Sequence, residues 1–310
     1  MDKTHAPQTI RLPAYAELLI DSMDRYRNGF PSEAVNITTS SRWTTSLNNY
    51  ALNGYFTRLA VTQIQFQWNL PTIIGAYNNI FTIVIDNGED EGEYEIELQE
   101  AFYTPTELAS EIEDKLQTAC PNSDLTCVYE SASGVFYIAS GDGTEFTIQS
   151  PDEAGDPTVV RRTLHTLGFT RTNALPRSDY FGTIPTMLPT RYIDIISAYI
   201  SKFQDVKDSS TSQNFNWQNK IARVYAVPPS NRVEIKADGG PSVNPYIMTI
   251  DYATPKQIMW SPDEALNNFT IELRDEEGEY LPFGPIAGLD DPDRVAYGCE
   301  YSMTLLASET

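Results

Sequence analysis

From Val61 to Trp68 the chain alternates, with Val61, Gln63, Gln65 and Gln67 at one phase and Thr62, Ile64, Phe66 and Trp68 at the other. A period of two with one aromatic and aliphatic phase predicts a half-buried antiparallel strand over 56–68, ended by Pro71. Ala34 to Thr38 predicts a short strand before it. Ile80–Ile85 and Glu93–Leu98 predict two more strands, joined through Asp86-Asn87-Gly88, a strong hairpin signal. The period then changes. Leu108, Ile112 and Leu116 recur every four residues, the stripe of an amphipathic helix. Thr104, Pro105 and Glu107 supply its cap, its first-turn proline and its capping box, with Tyr103 and Leu108 placed for a hydrophobic staple.

Strands are expected again at 125–129, 135–139 and 145–149, around Ser133-Gly134 and Gly141-Asp142-Gly143. Asp156-Pro157 starts a second helix. Its Leu164 and Leu167 face inward, Gly168 suits a left-handed stop, and Phe169 suits the hydrophobic contact beyond it. After Pro176, Pro185 and Pro189, strands are predicted at 191–200, 219–227, 231–236, 246–251, 256–260, 269–274 and 297–306.

The organisation that follows is mainly β: a single jelly-roll β-sandwich with an inserted α+β domain. Residues 1–29 are expected to be an N-terminal arm, 30–74 and 173–310 a discontinuous jelly-roll domain, and 75–172 the insert. The short apolar stretch Tyr15 to Ile20 is assigned to the arm.

With 310 residues, 41% of them hydrophobic, the chain can bury one large core or two smaller ones. No run of 18 apolar residues predicts a membrane span. The start, Met1 to His5, has no apolar core of a signal peptide, so the sequons at Asn36 and Asn268 read as coincidence. Three cysteines, Cys120, Cys127 and Cys299, read as reduced thiols, with a Cys120–Cys127 bridge as the alternative. The net charge of −22 opposes binding to phosphate backbones. Lys3, His5, Arg11, Arg25 and Arg27 make the first 30 residues less acidic than the rest.

No constellation selects a reaction. His5 and His165 are the only histidines, and neither lies in a nucleophile motif. Three scattered cysteines give no zinc spacing. Asp86 to Glu97 superficially resembles a calcium loop. Its third position is Gly88, however, and its sixth, where glycine is required, is Glu91. It reads as an acidic hairpin, and Asp275 to Glu279 as an acidic turn. With 43 acidic residues, no spacing singles out a glycosidase pair, and Gly239-Gly240-Pro241 lacks the Lys-Ser/Thr of a phosphate loop. Neither catalytic, cofactor-binding nor metal-ligating residues are expected, and no cofactor. The expectation is a structural or binding protein rather than an enzyme. Trp43, Tyr50, Tyr55, Tyr180, Phe181, Trp217 and Phe283 are candidates for either subunit contacts or core.

Several weak motifs stand in a telling order. Leu19 to Arg25, Phe56-Thr57-Arg58-Leu59, Trp68-Asn69-Leu70-Pro71 and Asn78-Asn79 precede the insert. Tyr192 to Ser197, Gln204 to Asp208, Ile221 to Tyr225 and Phe269 to Asp275 with Gly278 follow it. This order resembles the penton, or minor capsid, proteins of virophages and polinton-like viruses. The insert, with Tyr103 to Leu108 and Leu167-Gly168-Phe169, looks like an α+β unit of such pentons and of some viral fibre proteins. The resemblance implies a homopentamer at the fivefold vertices of an icosahedral capsid, in the virion and assembled inside the host cell. It implies contacts to a double-jelly-roll major capsid protein, an inward arm reaching other minor capsid proteins, and an outward insert that could meet a host-surface ligand. The alternative is a viral fibre or receptor-binding module recognising a host ligand.

Overall fold

The computed structural model describes residues 15–22, 42–46, 56–68, 70–153, 155–169, 176–203, 219–226, 234–235, 241–242, 246–261, 266, 268–281 and 300–309. The strand expected at 34–38, Tyr50, Tyr55, Trp217, Phe283, Cys299 and residues 1–14 lie outside these. In chain order the strands are β1 (Tyr15–Asp21), β2 (Arg42–Ser46), β3 (Arg58–Trp68), β4 (Ile80–Ile85) and β5 (Gly92–Glu97). Helix α1 (Pro105–Ala119) precedes β6 (Leu125–Glu130), β7 (Val135–Ser140) and β8 (Phe146–Ile148). Helix α2 (Pro157–Leu167) precedes β9 (Asp179–Phe181), β10 (Tyr192–Ile196), β11 (Lys220–Tyr225), β12 (Glu234–Ile235) and β13 (Pro241–Ser242). Last come β14 (Tyr246–Asp251), β15 (Ile258–Met259), β16 (Asn268–Arg274) and β17 (Tyr301–Ser308). The protein is mainly β, built of several antiparallel sheets. It divides into two compact units: residues 1–67, 194–224 and 247–310, and residues 68–193 with 225–246.

In the first unit, one sheet runs β1-β17-β3-β14, with β15 also on β3, and a second runs β11-β10-β16-β2. β17 shows why the first sheet forms. Tyr301, Met303, Leu305 and Ala307 are buried, while the residues between them are half-exposed, so one apolar face is committed to the core. The second sheet does the same with Phe269, Ile271 and Leu273. Two sheets that each bury one face are consistent with a β-sandwich.

Two sequence expectations need correction in this unit. The stretch Tyr15–Asp21, read as part of an arm, is strand β1, paired antiparallel with β17 from Tyr15↔Ser308 to Asp21↔Ser302. Leucines at both phases, Leu18 and Leu19, hid its period of two. The Ser22 hydroxyl donates to Glu300 and accepts from the Tyr301 amide, which pins the end of β1. The alternation of β3 is also not strict from Val61. Gln63 pairs with Thr304 but Val61 with Leu305, so Thr62 is an extra residue, a bulge. Val61 is therefore buried beside Ala60, and regular alternation begins at Gln63.

In the second unit, the sheets β5-β4-β8 and β6-β7-β9 enclose one core with both helices. Thr104 caps α1 as a complete capping box, and Leu108, Ile112 and Leu116 are buried. Asp156 caps α2, accepting from the amides of Thr158 and Val159. Gly168 ends α2 at φ 75°, and the Phe169 amide bonds Leu164 O at 2.7 Å. Phe169 then meets Phe81, Phe136 and Tyr180 edge to face. Asn78 ties the entering chain to α2. Its side chain accepts from the Ile74 amide and donates to Thr72 O and Thr166 Oγ1. Strand β9 was not predicted. Its three residues, Asp179–Phe181, give too short a pattern, and only pairing with β7 defines it. β5 ends its sheet and carries exposed Glu93, Glu95 and Glu97 at alternate positions.

Candidate functional site

The described carboxylates of the acidic hairpin and turn include several engaged within the fold. In the hairpin of Asp86 to Glu97, Asp90 is turned inward and accepts from the Asn122 amide, Asn122 Nδ2 and Ser123 Oγ at 2.8–3.0 Å. Burial pushes its carboxyl up, but those hydrogen bonds outweigh burial and hold it below its usual range. Asp86 accepts from Thr147 Oγ1, and Asn87 Oδ1 from the Glu145 amide. The segment is a stapled turn whose donors are the protein's own. Asp275 likewise accepts from the amides of Glu277 and Glu279, closing its turn.

Cys120 and Cys127 are free, buried thiols. Burial, then the Asp90 charge, pushes Cys120 up to about 11, and burial with Glu113 raises Cys127 further. Neither is a reactive thiolate near neutral pH. His165 is half-buried in the last turn of α2. In the same helix the Arg162 guanidinium lies 4.1 Å from the Tyr77 ring centre. No group of three or more His, Cys, Asp or Glu residues that could hold a metal occurs among the described residues, and no helix there is long and apolar enough to cross a membrane.

One ion cluster was invisible in the sequence. Asp194, 7% exposed, accepts from Arg223 Nε and Nη2 at 2.6 and 3.0 Å and lies 2.5 Å from Lys220 Nζ. It clamps β10 to β11. A hollow of about 520 Å³ is lined by Ile196, Tyr199, Lys202, Asn219, Thr270 and Glu272. The Lys202 ammonium is held over the rings of Tyr199, Phe203 and Trp260 at 4.3, 4.8 and 5.4 Å.

Of the candidate contact aromatics, Tyr180 is core at 3% exposure and Phe181 is surface at 57%. Trp43 lies on β2, and its side chain is outside the described residues. In the first unit the exposed apolar residues include Tyr15 and Leu19 of β1 and Ile247 of β14. Acid is shared almost evenly between the two units, but in the second it is concentrated in one stretch. Residues 71–150 hold 16 Asp and Glu residues against one basic residue, Lys115.

The architecture of the protein is thus mainly β, in several antiparallel sheets. Its fold is similar to that of the mavirus penton protein, known from a crystal structure of the selenomethionine-labelled form. The TM-score is 0.50 at 12% sequence identity, covering 96% of this chain and 99% of that one. A chain in the cryo-electron microscopy structure of the Sputnik virophage aligns with a TM-score of 0.41 at 12% identity, over 96% of this chain and 98% of that one. No family model matches the chain. No curated protein matches it in sequence.

Proposed function

We propose that the chain is a structural virion protein, the penton that forms the fivefold vertices of an icosahedral capsid. The observation that carries this is the shared fold with the mavirus penton protein over nearly the full length of both chains. In this reading the first unit is the jelly roll. The second is the inserted α+β domain that projects outward, and the segment ahead of β1 reaches other minor capsid proteins on the inner side. The partners are four further copies and a double-jelly-roll major capsid protein, and no reaction is catalysed. The physics is compatible. A ring of five buries its subunit contacts, and an acidic exterior keeps the assembled particle from clumping.

The test is the mass of the purified chain by light scattering during gel filtration, alone and after co-expression with a double-jelly-roll capsid protein. A species near five times 34.8 kDa, or shells carrying the chain at fivefold positions, is the expected result. A trimer that stays out of the shells would replace this reading with the fibre or receptor-binding one.

A further inference from the structure

The sheet β6-β7-β9 has one face in the core and one in solvent. Cys127, Phe136, Ile138 and Tyr180 belong to the buried face. At the opposite phase, Val128 pairs with Tyr137 and Tyr137 with Phe181. These three side chains therefore form one continuous row across the sheet. Val128 is 53% exposed and Phe181 57%. The Tyr137 and Phe181 rings lie 4.2 Å apart, tilted by 30°. The neighbouring rows end in exposed carboxylates. Glu130 stands beyond Val135 on one side, and Asp179 beyond Ala139 on the other. Arg177, also exposed, is a cation at the β9 end.

Folding does not require this row. Val128 and Phe181 leave most of their apolar area in water, and the core beneath is complete without them. Charge selects what would cover it. Residues 71–150, which supply β6 and β7, carry the 16-to-1 excess of acid. A second copy of the chain would bring the same negative field to the face, and a nucleic acid a denser one. A basic polypeptide fits all the features together. Lysine and arginine stems lie along apolar side chains, their cations sit over aromatic rings, and their heads reach Glu130 and Asp179.

We propose that the outward face of β6-β7-β9 is a docking surface for a Lys/Arg-rich segment of a partner protein. The proposal goes beyond the vertex assignment and does not depend on it, since binding is read on the purified chain whatever its mass.

The experiment is fluorescence anisotropy of a labelled synthetic peptide of alternating Lys, Arg and Leu with the full-length chain, at low and moderate salt. One variant, Tyr137→Thr with Phe181→Ser, removes the aromatic pair. A second, Glu130→Lys with Asp179→Lys, reverses the rim at exposed positions, giving up only the hydrogen bond from Ser133 Oγ to the Glu130 carboxylate. A third, Glu93→Lys with Glu95→Lys, makes the same change of charge on exposed positions of β5 as a control. Binding weaker by about tenfold or more in the first two variants, with the control within about twofold, is expected for a central patch of this kind. Should the aromatic variant lose its native circular dichroism, the rim variant decides alone. The proposal is overturned if the wild-type chain does not bind the peptide, or if the β5 control weakens binding as much as the face variants, which is diffuse electrostatics. It is equally overturned if the face variants change only the chain's own mass in solution, which is self-association.

Discussion

A Cβ at Gly168 would lie 2.2 Å from the Thr183 backbone oxygen, and the residue sits at φ +75°. Both the backbone conformation and the space therefore demand glycine. Gly168→Ala should lower stability by at least about 1–2 kcal/mol from the left-handed conformation alone, with the clash adding to it. Urea denaturation reads this directly, and an unchanged midpoint would show that the α2 stop tolerates a side chain. Asp90 makes the pH prediction. Its folded pKa lies below the unfolded value of about 3.9, so its contribution is present above that value and lost as pH falls through the folded one. In Asp90→Asn, stability should depend less steeply on pH between about 5 and 2 than in the wild type. Parallel acid limbs in melting curves would remove Asp90 from the account. Sequence disclosed these residues unequally. Gly168 and the Thr104–Glu107 capping box were legible because both act on the residues beside them. The bulge at Thr62 and the clamp on Asp194 were not, because each depends on a strand brought close only by the fold.

Elements with long, clean periods were legible: β3, β4, the stripe of α1, and β17 within a few residues. Those that exist by pairing were not. β1 has apolar residues at both phases, and β2 (Arg42–Ser46) and β9 are too short to show a period. The missed β9 bears on where the second unit ends. Its Tyr180 is buried against Phe169. Beyond it, the Thr183 amide and hydroxyl both bond Gly168 O, and Thr186 donates to His165 O. A fragment of residues 70–190 should therefore melt cooperatively and at higher temperature than one of residues 75–172, which lacks this closing segment. Equal melting temperatures by circular dichroism would place the working boundary at the earlier position.

For the molecule as a whole, the order of weak motifs pointed to the same class of viral protein whose solved structure shares the fold, although no single motif was specific. The division of labour between the units was less legible. Net charge is a sum over the chain, whereas the row of glutamates on β5 and the apolar row across β6, β7 and β9 emerge only once strands are assigned to sheets. Attraction and repulsion are thus placed on different strands of the same unit. The glutamates of β5 show what this accomplishes. A strand that ends a sheet is an open template for its own twin in the next molecule. Here any twin arriving in register would set one row of carboxylates against another. The fringe thus acts as a spacer, imposing a minimum separation between unassembled copies. Under the proposed function, copies made in excess over the shells that receive them can then wait as separate molecules rather than as a fibre.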